Sequence, residues 1–260
     1  MPASYTHYNF CKDVLDKMPE GKIKDLINGN IDYYYLGTHG PDIFFFHYPI
    51  FPNKTRKLGH DLHHQKAIRF FTNARYNIHN PQQLVYIIGF ICHYALDSIE
   101  HPYVGRIIKD SGVKHFEIES EYDRRLMVKN KENPLKRPLV AHLKHSQEIV
   151  TNLQPFFPTA SCKQIDDSIR LMKYYDRLLV APNVMKRGAI YFVFSLTFHF
   201  RTLQGLVMNY RPNKKLEPYF KEFDTKYLQS IDLALELIND FVEKYPTDKE
   251  LSVKFNHNYY

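Results

Sequence analysis

At 260 residues, with 44% hydrophobic and 24% charged side chains, the chain can bury a sizeable core, which excludes a disordered protein. Its formal charge of +7 and pI near 9.1 favour anionic partners, whether phosphoesters, nucleic acid or an anionic membrane surface. Cys11, Cys92 and Cys162 are odd in number and form no CxxC pair, which argues against a disulfide framework and against a thiolate zinc site.

The first residues contain neither a charged region nor an apolar region of signal-peptide type. The expectation is therefore a cytoplasmic protein, with secretion by another route left open. His7 stands in Ser4-Tyr-Thr-His7, just before a helical apolar pattern over residues 10–18. Next comes Leu36-Gly-Thr-His-Gly-Pro-Asp42, where Gly40 and Pro41 form a rigid bend able to hold Asp42 in one orientation. Phe44, Phe45 and Phe46 follow and read as core rather than as a substrate wall. Pro49 and Pro52 mark a break. Gly59-His60-Asp61-Leu62-His63-His64 then leads into a helix over residues 65–76; histidines this dense suit a metal or a pH-sensitive surface.

Asn80-Pro81 supplies a capping residue and a proline at the first position of a helix over residues 84–97. That segment is apolar on every side, as expected of a helix buried all round, and too short to cross a bilayer. Yet it carries His93 and Asp97 one turn apart on one face. A buried carboxylate needs a cation nearby; a metal meets that need, and a buried His–Asp hydrogen bond that fixes packing is the alternative reading of the pair. His101 lies a turn further on, and Pro102 is expected to end the helix. His115-Phe-Glu-Ile-Glu119 repeats the nitrogen–carboxylate spacing at the start of a helix over residues 117–128. Two such pairs on adjacent helices can converge across a bundle. Further helical patterns cover residues 139–153, 163–180, 188–210 and 225–245, while the basic stretch 129–137 reads as a solvated loop. No strand pair, repeat or long linker is visible. The simplest reading is one all-α domain over residues 1–260.

Taken together, these segments resemble the zinc-dependent phospholipase C family. The resemblance rests on His7 opening a helix, Pro41-Asp42, His63 before an amphipathic helix, the buried His93–Asp97 pair and the later His115–Glu119 pair. It implies a single-domain multi-helix bundle of the phospholipase C or zinc nuclease type. The implied activity is hydrolysis of a phosphodiester, such as that of a phospholipid, by a metal-activated water. The implied ligands are Asp42, His63, His93 and Asp97 for one metal, and His101, His115 and Glu119 for a second. Asp97 and His7 would reach a third. The ions would be two or three zincs, with manganese or iron left open. Asp42 would also orient or deprotonate the water, and Glu100 would stand behind the ligands.

The sequence departs from the family's secreted members in two places. Their further histidine follows a proline, whereas His101 immediately precedes Pro102. Their free N-terminal residue binds one zinc, whereas here six residues precede His7 and only methionine removal would expose an amine, at Pro2. His60 and His64 remain alternatives to His63. Two other functions stay in view: a zinc nuclease or nucleotide phosphoesterase, the nuclease favoured by the positive charge, and a non-catalytic metal-stabilised binding protein. The substrate-binding residues are not identifiable from sequence, and His142, His145 and His199 fall outside every motif.

Overall fold

The computed structural model describes residues 4–260, and every regular element among them is a helix. In chain order these are α1 (Ser4–Lys17), α2 (Lys22–Gly29), α3 (Ile31–Gly37), α4 (Lys54–His64), α5 (Ala67–Arg75), α6 (Pro81–Ser111) and α7 (His115–Lys129). They continue with α8 (Gln147–Leu153), α9 (Cys162–Leu179), α10 (Val184–Ser195), α11 (Phe200–Leu203) and α12 (Phe220–Lys244). A 3₁₀ turn, Gly40–Phe46, links α3 to α4. Among the described residues no helix is long and apolar enough to cross a membrane.

The centre of the molecule is α6. Its residues from Gln83 to Asp97 are buried without interruption, and α1, α3, α7 and α12 pack around it. The Asn80 side chain accepts from the Gln83 N–H and caps its start. Its end is closed by Gly112 in the left-handed conformation, φ 70°. The approach of α3 to α6 is backbone on backbone. A β-carbon on Gly89 would stand 2.2 Å from the Tyr34 carbonyl oxygen, and one on Gly37 would stand 2.1 Å from that of Tyr86. Only glycine allows this contact, which brings the turn carrying Asp42 against the helix carrying His93.

Several boundaries differ from the sequence expectation. Pro102 does not end α6, which runs on to Ser111. A proline inside a helix costs about 3 kcal/mol, but Pro102 faces solvent while Tyr103, Val104 and Ile107 beyond it are buried. Burial of those side chains outweighs the missing N–H bond. The expected helix over 139–153 exists only from Gln147, because the N–H groups of Leu139 and Val140 donate to the Asp176 carboxylate on α9 instead. The one expected over 188–210 starts earlier, at Asn183-capped Val184, and breaks after Ser195. His63 belongs to the last turn of a helix, α4, rather than to a loop before one. That helix, with α2 and α3, is too polar or too short to announce itself by periodicity.

Candidate metal centre

Five elements deliver side chains to one buried spot around the middle of α6. That helix supplies His93, Asp97 and, a turn later, His101. The first turn of α1 supplies His7, and the 3₁₀ turn supplies Asp42. The last turn of α4 supplies His63, and the first turn of α7 supplies His115 and Glu119. Their polar atoms fall into three groups, each within 4.8 Å: His7 with His93 and Asp97, Asp42 with His63 and His93, and His101 with His115 and Glu119.

Asp97 is the hub. Its Oδ1 is 3.2 Å from His7 Nε2, and its Oδ2 is 3.2 Å from His93 Nε2 and 3.8 Å from His63 Nε2. His101 Nδ1 stands 3.9 Å from the same Oδ2. Around it, His63 Nε2 is 3.1 Å from Asp42 Oδ1, and Glu119 Oε1 is 2.9 Å from His115 Nε2 and 3.4 Å from His101 Nε2. The rings of His7 and His93 stack at 4.4 Å.

The other side of each central imidazole fixes its tautomer. Nδ1 of His93 lies 3.2 Å from the Thr38 carbonyl, Nδ1 of His63 is 2.7 Å from that of Gly59, and Nδ1 of His101 is 3.0 Å from that of Tyr259. A carbonyl oxygen only accepts, so each Nδ1 carries the proton and donates. In the neutral ring Nε2 then presents a lone pair to the centre, the arrangement typical of metal-ligating histidines. For His93 that lone pair faces Asp97 Oδ2 at 3.2 Å, and neither atom has a hydrogen bond. Acceptor facing acceptor is repulsive unless a cation lies between them. The donor set of imidazole nitrogen and carboxylate oxygen fits zinc.

Burial alone would raise the Asp97 pKa, but when the imidazoles of His101, His93 and His7 are protonated they hold it well below the ordinary carboxylate range, so the pocket favours a carboxylate beside positive charge. Glu100 moves oppositely: burial, with the charges of Asp97 and Glu119, pushes its carboxyl well up. It lines a cavity of about 10 Å³ with His7, Asp97, His101 and Glu119, room for roughly one water or ion. His115 alone among the eight candidate ligands has a substantially exposed side chain, 33%, so it marks the accessible edge.

The family model for zinc dependent phospholipase C matches residues 6–234. The chain belongs to the zinc-dependent phospholipase C family. Searches of curated proteins and of solved structures each returned no match. The chain is accordingly a zinc-dependent hydrolase of phosphoric diesters, and the residues on which the family resemblance was read, from His7 to Glu119, all lie within the matched span.

Of the three neighbouring histidines, only His63 reaches the centre of this phospholipase C-family fold; His60 and His64 are exposed. Phe44 is fully buried and Phe45 nearly so, as the core reading expected, while Phe46 is half-buried against the core. An amine at Pro2 lies outside the described residues. Sequence reasoning missed three supports. Asp123, one turn beyond Glu119 on α7, accepts from the Thr6 N–H at 2.7 Å and the Thr6 hydroxyl at 2.6 Å, and so caps the helix that carries His7. No local signal marks Asp123 for that role, since Thr6 lies 117 residues away. His39 bonds His142 at 2.9 Å between Nε2 atoms, and Tyr8 stacks on His142 at 3.9 Å, behind the His7 wall. Tyr259 and Tyr260, beyond the matched residues, close another side: Tyr259 N–H donates to the His63 carbonyl, and Tyr260 stacks on His101 at 5.0 Å. Nothing local in the sequence signals that contact.

Proposed function

We propose that the chain hydrolyses the phosphodiester of a phospholipid, using up to three zinc ions, one for each ligand group. The observation that carries this reading is the convergence on Asp97 of Nε2 atoms from His7, His63 and His93, two of them with Nδ1 already tied to a carbonyl. In this reading Asp42, His63, His93 and Asp97 hold one ion, and His101, His115 and Glu119 a second. His7 with Asp97 reaches a third. Bound zinc supplies a water of lowered pKa and neutralises the phosphoryl oxygens.

The protein's own groups do the rest. Burial opposes ionisation of Asp42, but neighbouring positive charge holds its carboxyl below the ordinary range. It therefore stays ionised at neutral pH, where it orients the attacking water and accepts its proton. Glu100, its carboxyl pushed up by burial and by the charges of Asp97 and Glu119, stands behind the ligands. The diester enters at His115, the accessible edge. Residues 1–260 act as one catalytic unit, since a single buried cluster extends from Tyr5 to Tyr259.

The test is a substrate panel on zinc-loaded protein, comparing short-chain phosphatidylcholine with single-stranded DNA. Release of the phosphorylated head group, without cleavage of DNA, is the expected result. Cleavage of DNA with no action on the lipid would replace this reading with that of a nuclease.

A further inference from the structure

One part of the molecule takes no share in the metal centre. Residues 177–215 contain Arg177, Lys186, Arg187, Arg201, Arg211, Lys214 and Lys215 and no Asp or Glu. That segment accounts for the whole net charge of +7; elsewhere Lys and Arg equal the 28 carboxylates. Within it, α10 has its apolar face turned outward. Val184, Met185, Ala189, Phe192, Val193 and Leu196 recur at helical spacing and are all exposed. Met185 is 87% exposed, Phe192 66% and Leu196 71%, and Phe198 just beyond is fully exposed. The inward face carries Arg187, buried and bonded to the carbonyls of Ala181 and Met208. An amphipathic helix ordinarily turns such a stripe toward the core, and a contiguous exposed one marks an interaction surface.

Its position ties it to the active edge. The chain after α10 packs on the first turn of α7: a β-carbon on Gly205 would stand 2.5 Å from the Glu117 nitrogen. Asn209 donates to Glu117 and Glu121. Glu117 lies between His115 and Glu119, so the segment that follows the apolar stripe is anchored on the turn that carries those two ligands.

We propose that α10 and Phe198 form a docking element for a lipid surface. The stripe enters the boundary between head groups and acyl chains, while Arg201, Lys214 and Lys215, exposed in the same segment, meet lipid phosphates. A second copy of the chain is a poorer occupant, because two-fold pairing would bring two sets of cations together with no carboxylate in either segment. The inference rests on the phospholipid reading of the substrate and adds where the membrane is held.

Cosedimentation with vesicles of phosphatidylcholine containing about 30 mol% phosphatidylglycerol tests it. Wild type is expected in the pellet, as is Asp97→Asn, because docking does not need turnover. Phe192→Ser/Phe198→Ser should bind at least about tenfold more weakly, with unchanged circular dichroism and unchanged hydrolysis of monomeric short-chain phosphatidylcholine. Arg201→Gln/Lys214→Gln/Lys215→Gln should lose the preference for anionic vesicles. Retained binding in the Phe192/Phe198 variant, a wild type that stays in the supernatant, or a lipid-free dimer that this variant dissociates would each overturn the proposal. Failure of the substrate reading would look different: docking would persist and hydrolysis of the monomeric lipid would be missing.

Discussion

At the residue scale the metal centre turns on Asp97, which no single other side chain can replace. Asp97→Asn keeps the shape but removes the charge that the imidazoles surround. Activity on short-chain phosphatidylcholine should fall by at least about 100-fold, since even outer partners of metal ligands commonly contribute 10–100-fold. Activity within threefold or so of wild type would remove Asp97 from the centre. Asp123 offers a prediction in pH. Burial pushes its carboxyl up to about 8 from an ordinary value of 3.8, against the lowering effect of Thr6. Between those values the folded state holds a proton that the unfolded state has released, so this group makes stability fall as pH rises and stop falling above about 8. Asp123→Asn keeps an acceptor for Thr6 and removes the titration. Its melting temperature should gain on wild type between about pH 5 and about pH 8; an equal offset at both pH values would contradict the assignment. Asp97 was legible in the sequence because a carboxylate one turn from a histidine, on a helix otherwise apolar all round, is buried without a cation of its own. Asp123 was not, because its partner Thr6 lies 117 residues away.

At the scale of elements, the contact between α3 and α6 sets the distance between Asp42 and His93. The Gly89→Ala methyl would collide with a backbone oxygen that cannot rotate away. A loss of about 3 kcal/mol in urea unfolding is expected, at the upper end for overpacking, with weaker zinc binding as the helices part. A change under about 1 kcal/mol would mean that the helices can separate freely. The long apolar helices could be read from sequence because their periodicity extends over many turns. Helices α2, α3 and α4 could not, and Pro102 misled, because tertiary burial of Tyr103, Val104 and Ile107 decides that boundary. Leu139 and Val140 show the same limit, their N–H groups being taken by a carboxylate on another helix.

For the whole molecule, α1, α4, α6, α7 and the 3₁₀ turn meet at the candidate ligands and in the core beneath them. Metal bound there favours the folded chain by mass action. Chelation should therefore lower the melting temperature by roughly 10 °C, restored by added zinc; identical melts with and without chelator would show that the helices need no metal to stay together. The order of the ligands along the chain could be read from motif spacing. Closure of the site by Tyr259 and Tyr260, and the outward stripe of α10, could not, because both depend on where distant segments come to rest. The most direct measurement is elemental analysis of protein purified without chelator or nickel affinity. Zinc is expected at up to three equivalents, one for each ligand group. A folded protein that contains no metal and takes up none from added zinc would contradict the metal centre.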